Sequence, residues 1–236
     1  MNHFPNDWGK PQPKNHTQQP IITGSSVIAF KYKDGVMMAA DNLVSFGRTS
    51  RYREIERLYP VGEYTVLGAS GDISDFQHVK HMLDKIITKE YYTNDGHVLG
   101  APHIYEYLSR VMYHRRSELN PLWNYFVVGG YHNGEGYLGY VDLFGNTYQS
   151  SSIATGFGMY LATPILRKAV EGNEHTLTEA QAVEITDQIM KVLFCRDAKA
   201  TNKFQRAKIT AQGVEISAPI SVQPEWNYGK DIRGYS

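Results

Sequence analysis

Hydrophobic positions change period along the chain, and each change marks an element. Residues 26–32 (SVIAFKY) are dense in β-branched and aromatic side chains, Lys33-Asp34-Gly35 is a turn signal, and residues 36–40 (VMMAA) are a continuous apolar run. Together they predict a hairpin. The second strand shows no polar alternation, so it is expected to be buried on both faces. A second hairpin is expected from residues 55–61 and 64–69 around Gly62-Glu63. From Ile73 the period becomes helical, with Phe76, Val79, Met82, Leu83, Ile86 and Ile87 on one face and Asp72 as N-cap. Residues 91–101 contain Gly, Asn and Asp and read as a loop. A second helix follows from about residue 103 to 119, with Ile104, Tyr107, Leu108, Val111 and Met112 on one side. Arg115 and Arg116 sit near its C-terminal end, where cations suit the helix dipole.

The second half repeats this alternation. Residues 124–130 and 136–141 predict a strand pair joined at His132-Asn133-Gly134, and residues 146–151 a further short strand. Residues 157–170 read as one helix, with Pro164 tolerable in its first turns or at a bend. A capping box, Thr176-Leu-Thr-Glu179, opens a last helix carried by Ala180, Val183, Ile185, Ile189, Met190 and Leu193. Residues 204–210 and 214–217 close as a hairpin around Gln212-Gly213. The order is strands, two helices, strands, two helices, strands. That segregation predicts an α+β class in four layers, αββα: two mainly antiparallel sheets between helix pairs. The ends differ from this body. Residues 1–16 are polar, with prolines at 5, 11 and 13, and read as a tail or leader. Gln18-Gln19-Pro20 leads into an extended Ile21-Ile22-Thr23. The residues from 218 onward carry Trp226 and Tyr228 without a period.

Composition narrows the function more than the fold. The chain has 236 residues, 42% of them hydrophobic, enough for one large domain or one domain with tails. Lys plus Arg and Asp plus Glu balance at 24 each, which gives no electrostatic case for nucleic acid or an anionic membrane. No stretch reaches the ~20 apolar residues of a membrane span, and the first residues lack the apolar core of a secretory signal. A soluble intracellular protein is the expectation. The single cysteine, Cys195, has no internal disulfide partner and follows an apolar run, so it reads as a small buried hydrophobe. His78 and His81 lie three apart on the first helix but lack a third ligand, so surface histidines are expected rather than a metal site. Met37-Met38 read as core filler, and Arg115-Arg116 as a solvated or inter-subunit face.

Several motifs then fall together: Gly24-Ser25, Gly35-Val-Met-Met-Ala-Ala-Asp41, Gly47, Gly68-Ala-Ser-Gly71-Asp72 with Asp75, Ala154-Thr-Gly-Phe-Gly158 and Arg196-Asp197-Ala198. In this combination the chain resembles the proteasome β subunits of the N-terminal nucleophile hydrolase family. Residues 17–24, Ser70–Asp75 (SGDISD), Tyr113-His-Arg-Arg116, Asn120-Pro-Leu-Trp-Asn124 and the end Lys230-Asp-Ile-Arg-Gly-Tyr235 are similar to a non-catalytic branch of that family. The resemblance implies a division into residues 1–16, removed on maturation by cleavage between His16 and Thr17; residues 17–24, a retained stub; residues 25–218, the sandwich domain; and residues 219–236, a tail for contacts between subunits through Trp226 and Tyr228.

Active members attack a peptide carbonyl with an N-terminal threonine hydroxyl, helped by a lysine and the free amine, while a glycine N–H holds the oxyanion. Anchored on Asp41, the nucleophile position falls at Ser25 and the lysine position at Arg57, whose pKa above ~12 removes it as a proton acceptor. The serine expected between two glycines is Phe157, and the serine expected after Asp197 is Ala200. Gly71, the oxyanion glycine, is kept. The resemblance therefore implies an inactive subunit without a cofactor. Its partners would be the other α and β subunits of a core with two stacked seven-membered β rings between α rings, together with assembly chaperones. Its place would be the cytoplasm and nucleus. An active serine peptidase using Ser25, and a stand-alone binding module with a pocket beside Gly71, are the competing readings.

Overall fold

A computed structural model describes residues 19–224. The chain opens with β1 (Ile22–Gly24), β2 (Val27–Tyr32), β3 (Gly35–Asp41), β4 (Val44–Phe46), β5 (Thr49–Tyr52), β6 (Leu58–Pro60) and β7 (Thr65–Asp72). Helices α1 (Ile73–Thr93) and α2 (Ala101–Ser117) follow, then β8 (Asn124–His132), β9 (Glu135–Val141), β10 (Thr147–Gln149) and β11 (Ser152–Ala154). Helices α3 (Gly158–Leu161), α4 (Thr163–Val170) and α5 (Glu179–Arg196) lead to β12 (Lys203–Thr210), β13 (Gly213–Ile216) and β14 (Ile220–Ser221).

The strands form two antiparallel sheets. One runs β10-β9-β8-β7-β1-β4-β5, with β6 also on β7; the other runs β11-β2-β3-β12-β13, with β14 also on β12. Three apolar layers hold them. Val27, Val36 and Met38 meet Val66, Val127 and Leu138 between the sheets. Phe76, Leu83, Ile104 and Leu108 of α1 and α2 cover the outer face of the first sheet, against Leu67 and Phe126. Leu166, Ile189 and Leu193 of α4 and α5 cover the second, against Ile28, Phe30 and Met37. This is the αββα sandwich expected from the element order. β3 explains its unbroken apolar run, because all seven of its residues are buried between an inner layer and a helix layer.

Several expectations move. The first helix does not stop before Tyr91; it continues to Thr93 and ends on Asn94, whose φ of 47° is a left-handed cap that Asn tolerates. The single helix expected over residues 157–170 is two, broken at Ala162, with Pro164 in the first turn of α4, where its missing N–H costs nothing. The capping box forms two residues later than expected. Thr178 caps α5 with Gln181, while Thr176 donates its N–H and hydroxyl to Asn173 in the preceding turn. Cys195 is half-buried rather than enclosed. Met37 and Met38 are core residues, and His78 and His81 are exposed. Strands β4, β5 and β11 and the pairing of β1 go beyond what the periodicity indicates. β14 lies in the segment assigned to the tail, and its pairing with β12 ties that segment's start to the sheet. Trp226, Tyr228, His16 and Thr17 lie outside the described residues.

Candidate functional site

The candidate site begins with Arg57, which lies between β5 and β6 and is the largest fully enclosed side chain among the described residues, at 1% exposure. Its Nε donates to Asp41 O at 2.9 Å, and its Nη1 donates to Ser25 O at 3.0 Å and Ala69 O at 3.1 Å. Nη2 donates to Ser26 O at 2.9 Å and to the Asp41 carboxylate. All five guanidinium donors are thereby used, four on backbone carbonyls and one on an anion. This meets the requirement that a buried charge be both paired and fully hydrogen-bonded. Burial pushes the Asp41 carboxyl above its ordinary range, and the Arg57 charge and the Thr201 N–H oppose that shift. The Thr201 N–H donates to Asp41 Oδ2 at 3.0 Å.

The turn after α5 joins Asp41 to Asp197. Asp197 accepts the Ser25 hydroxyl at 2.5 Å on Oδ2 and the Lys199 N–H at 2.9 Å on Oδ1. Ala200 contributes only its backbone, donating to Asp197 O at 3.1 Å. The turn carrying Phe157 reaches the same place from the other sheet, where Gly158 N–H donates to Ser26 Oγ at 2.8 Å. Phe157 itself points outward, 56% exposed, with its ring 6.5 Å from that of Tyr160. Ser25, Asp41, Arg57, Asp197 and Ala200 are thus linked in one hydrogen-bonded network, and Phe157 stands at its rim.

Strand β1 determines what this network is able to do. It pairs on one side with β4 (Ile22↔Phe46, Thr23↔Ser45, Gly24↔Val44) and on the other with β7 (Thr23↔Asp72, Gly24↔Gly71). Gly71 therefore stands opposite the residue that precedes Ser25. Its φ of +94° and the Trp123 carbonyl, 2.1 Å from where a Cβ would sit, require glycine here whether or not an oxyanion is ever bound. Gly24 is required for another reason, since a Cβ on it would lie 2.5 Å from Arg57 Cδ. Ser25 follows the last residue of β1 and precedes β2, so in the uncut chain its nitrogen is an amide. The Arg57 guanidinium that donates to Ser25 O is already committed to three further carbonyls and the Asp41 carboxylate.

Sequence reasoning missed two contributors. Ser26, not Ser25, receives the 156–158 turn, and the extended segment at Ile22 and Thr23 is an interior strand of the larger sheet. The signal for the second was the pair Gly24 and Gly71, residues that permit close backbone approach. The described residues include no group of three or more His, Cys, Asp or Glu placed to hold a metal, and no helix long and apolar enough to cross a membrane.

The sandwich and the network at its edge define the class: the chain belongs to the proteasome subunit family, whose model matches residues 21–209. It is 45% identical to "Proteasome subunit beta type-4" of Xenopus laevis over 94% of this chain and 92% of that one. It is also 44% identical to "Probable proteasome subunit beta type-7" of Schizosaccharomyces pombe over 97% and 95% of the two chains. With "Proteasome subunit beta type-7" of Saccharomyces cerevisiae it shares 42% over 100% and 98%. These relatives are β-type members, and the chain is accordingly a β-type subunit of the proteasome core.

Proposed function

We propose that this subunit is non-catalytic and serves the particle by structure and assembly. The observation that carries the reading is the position of the Gly24–Ser25 bond, at the C-terminal end of β1, a strand with partners on both sides. Freeing the Ser25 amine would cut that strand at its C-terminal end, and Arg57 in the lysine position would still accept no proton. Ser25, Asp41 and Asp197 then act as a brace between the two sheets, and peptide hydrolysis falls to other β subunits of the same core. The maturation cut falls between His16 and Thr17 and leaves residues 17–24 in place. The tail beyond the described residues, with Trp226 and Tyr228, supplies aromatic anchors of the kind frequent in interfaces and helps to join half-particles. The partners are the α and β subunits of the core and its assembly chaperones, in the cytoplasm and nucleus.

Mass spectrometry of the subunit from purified core particles tests the catalytic question, alongside labelling with an epoxyketone probe for N-terminal nucleophiles. A start near Thr17 and an unlabelled chain are expected. A start at Ser25 with label on it would establish the serine peptidase instead. Deleting residues 225–236, which spares β14, is expected to accumulate half-particles on native gels, and normal full particles after that deletion would remove the tail's role.

A further inference from the structure

β5 is the terminal strand of the larger sheet, and among the described residues nothing pairs with its outer edge. All four of its residues are exposed. Arg48, Arg51 and Arg53 bring three positive charges into six residues of a chain with no net charge, and no ion pair engages them among the described residues. The β4–β5 register shifts so that Ser45 faces Ser50 and Val44 faces Tyr52, which leaves Arg51 as the bulged residue. Its guanidinium lies 5.5 Å from the ring centres of both Phe46 and Tyr52. Those rings are 43% and 37% exposed, and Ile21 beside them is 55% exposed. A charge or a bulge alone serves to protect an edge strand from pairing. Protection does not account for the exposed rings of Tyr52 on β5 and Phe46 on β4, or for the exposed Ile21 opposite the turn at Gly47.

We propose that this edge docks an extended, acidic segment of a neighbouring subunit in the assembled particle. Carboxylates would meet Arg48, Arg51 and Arg53, and the apolar side chains would cover Phe46, Tyr52 and Ile21. The inference rests on the core-subunit reading above. The chain's own outlying segments fit poorly: residues 1–18 carry one acid, Asp7, against two lysines, and residues 225–236 are balanced in charge. A second copy fits poorly as well, because antiparallel pairing of two β5 edges about their centre sets Arg48 of one against Arg53 of the other. Nucleic acid would use the charge but not the backbone edge, which suits an added strand.

The test places a benzophenone amino acid at position 50 in core particles and identifies the photo-adducts by mass spectrometry. Adducts to one acidic, extended segment of another subunit are expected. An Arg48→Glu/Arg51→Glu/Arg53→Glu variant should enter particles about five-fold less than wild type, while the matching triple lysine variant enters nearly normally. If the subunit is in the particle but position 50 yields no adduct, or adducts to a helix, to nucleic acid or to a second copy of this chain, the inference is overturned and the core-subunit reading stands. Absence of the subunit from the particle overturns both. Equal entry of the glutamate and lysine variants removes the electrostatic part of the argument and the acidic partner with it.

Discussion

β4 has a strand on each side, and the two neighbours use the same residue type in opposite ways. β1 is three residues long and β5 four, and each holds only two β-formers, Ile22 and Thr23 in one and Thr49 and Tyr52 in the other. β1 lies between two partners, with the Arg57 guanidinium against the carbonyls of Ser25 and Ser26 just beyond it. β5 has one partner and carries Arg51 out over two rings in solvent. The chemistry of the guanidinium is identical in both places; what differs is water. Arg57 has lost its hydration, so every one of its hydrogen bonds is needed to offset that loss, and removing either side leaves the other stranded. Arg51 keeps its hydration, and its contacts are worth little to the fold. An arginine enclosed in this way is part of the frame, and an exposed one is available to a partner.

Arg57→Met breaks the comparison most sharply. It leaves Asp41 as a buried carboxylate without its cation and removes the donor that Arg57 gives to each of four carbonyls, so a loss of about 3–5 kcal/mol is expected in urea unfolding of the purified chain. Arg57→Lys keeps a charge but has three donors in place of five, and is expected to recover only part of that loss. On the proposed non-catalytic reading, in which the Ser25 nitrogen stays an amide, it should gain no peptidase activity. If Arg57→Met unfolded at the wild-type urea concentration, the brace would not be what holds Ser25 and Ser26.

The glycines beside β1 come next. Gly71→Ala meets a backbone carbonyl, which does not yield, at a φ of +94°, so a loss of about 2–4 kcal/mol is expected. Gly24→Ala meets a side chain instead. Arg57 is fixed by five hydrogen bonds and has little room to withdraw, and about 1–3 kcal/mol is expected. Thermal melts of the two variants read their order directly. A Gly24→Ala protein as stable as wild type would mean that Arg57 shifts freely, which the hydrogen-bond set argues against.

The same contrast explains what the sequence made legible. The long elements could be read because their pattern is set by a face they bury along their own length: the α1 stripe from Phe76 to Ile87, or the unbroken apolar run of β3. The network residues Ser25, Asp41, Arg57, Gly71, Phe157, Asp197 and Ala200 could be located through motif spacing, and the structure links or juxtaposes them. The role of β1 could not be read. Three residues have no period, and the reasons for their burial, β4 and β7, lie about twenty and fifty positions away in sequence. β5 was equally silent, since an edge strand of Thr, Ser, Arg and Tyr owes its shape to the hairpin turn at Gly47 and not to burial. The guanidinium at Arg57 was read as a lost lysine, which is a statement about chemistry. That it also grips four carbonyls depends on strands distant in sequence, and no local pattern encodes it.

Arg51→Ala should have the smallest effect and is the other end of the comparison. The substitution removes two cation–ring contacts at an exposed edge, where such contacts contribute about 0.5–1 kcal/mol, and leaves no buried group unpaired. The chain released from Arg51 regains side-chain freedom, which offsets part of that loss. A change in unfolding free energy below about 1 kcal/mol is therefore expected, several-fold smaller than for Arg57→Met, and the two urea curves measured side by side give the ratio. Any defect of Arg51→Ala should instead appear in entry into particles, where its charge faces a neighbour and not this chain. A loss comparable to that of Arg57→Met would mean that β5 belongs to the cooperative core despite its exposure. Burial would then no longer be the variable separating the two arginines.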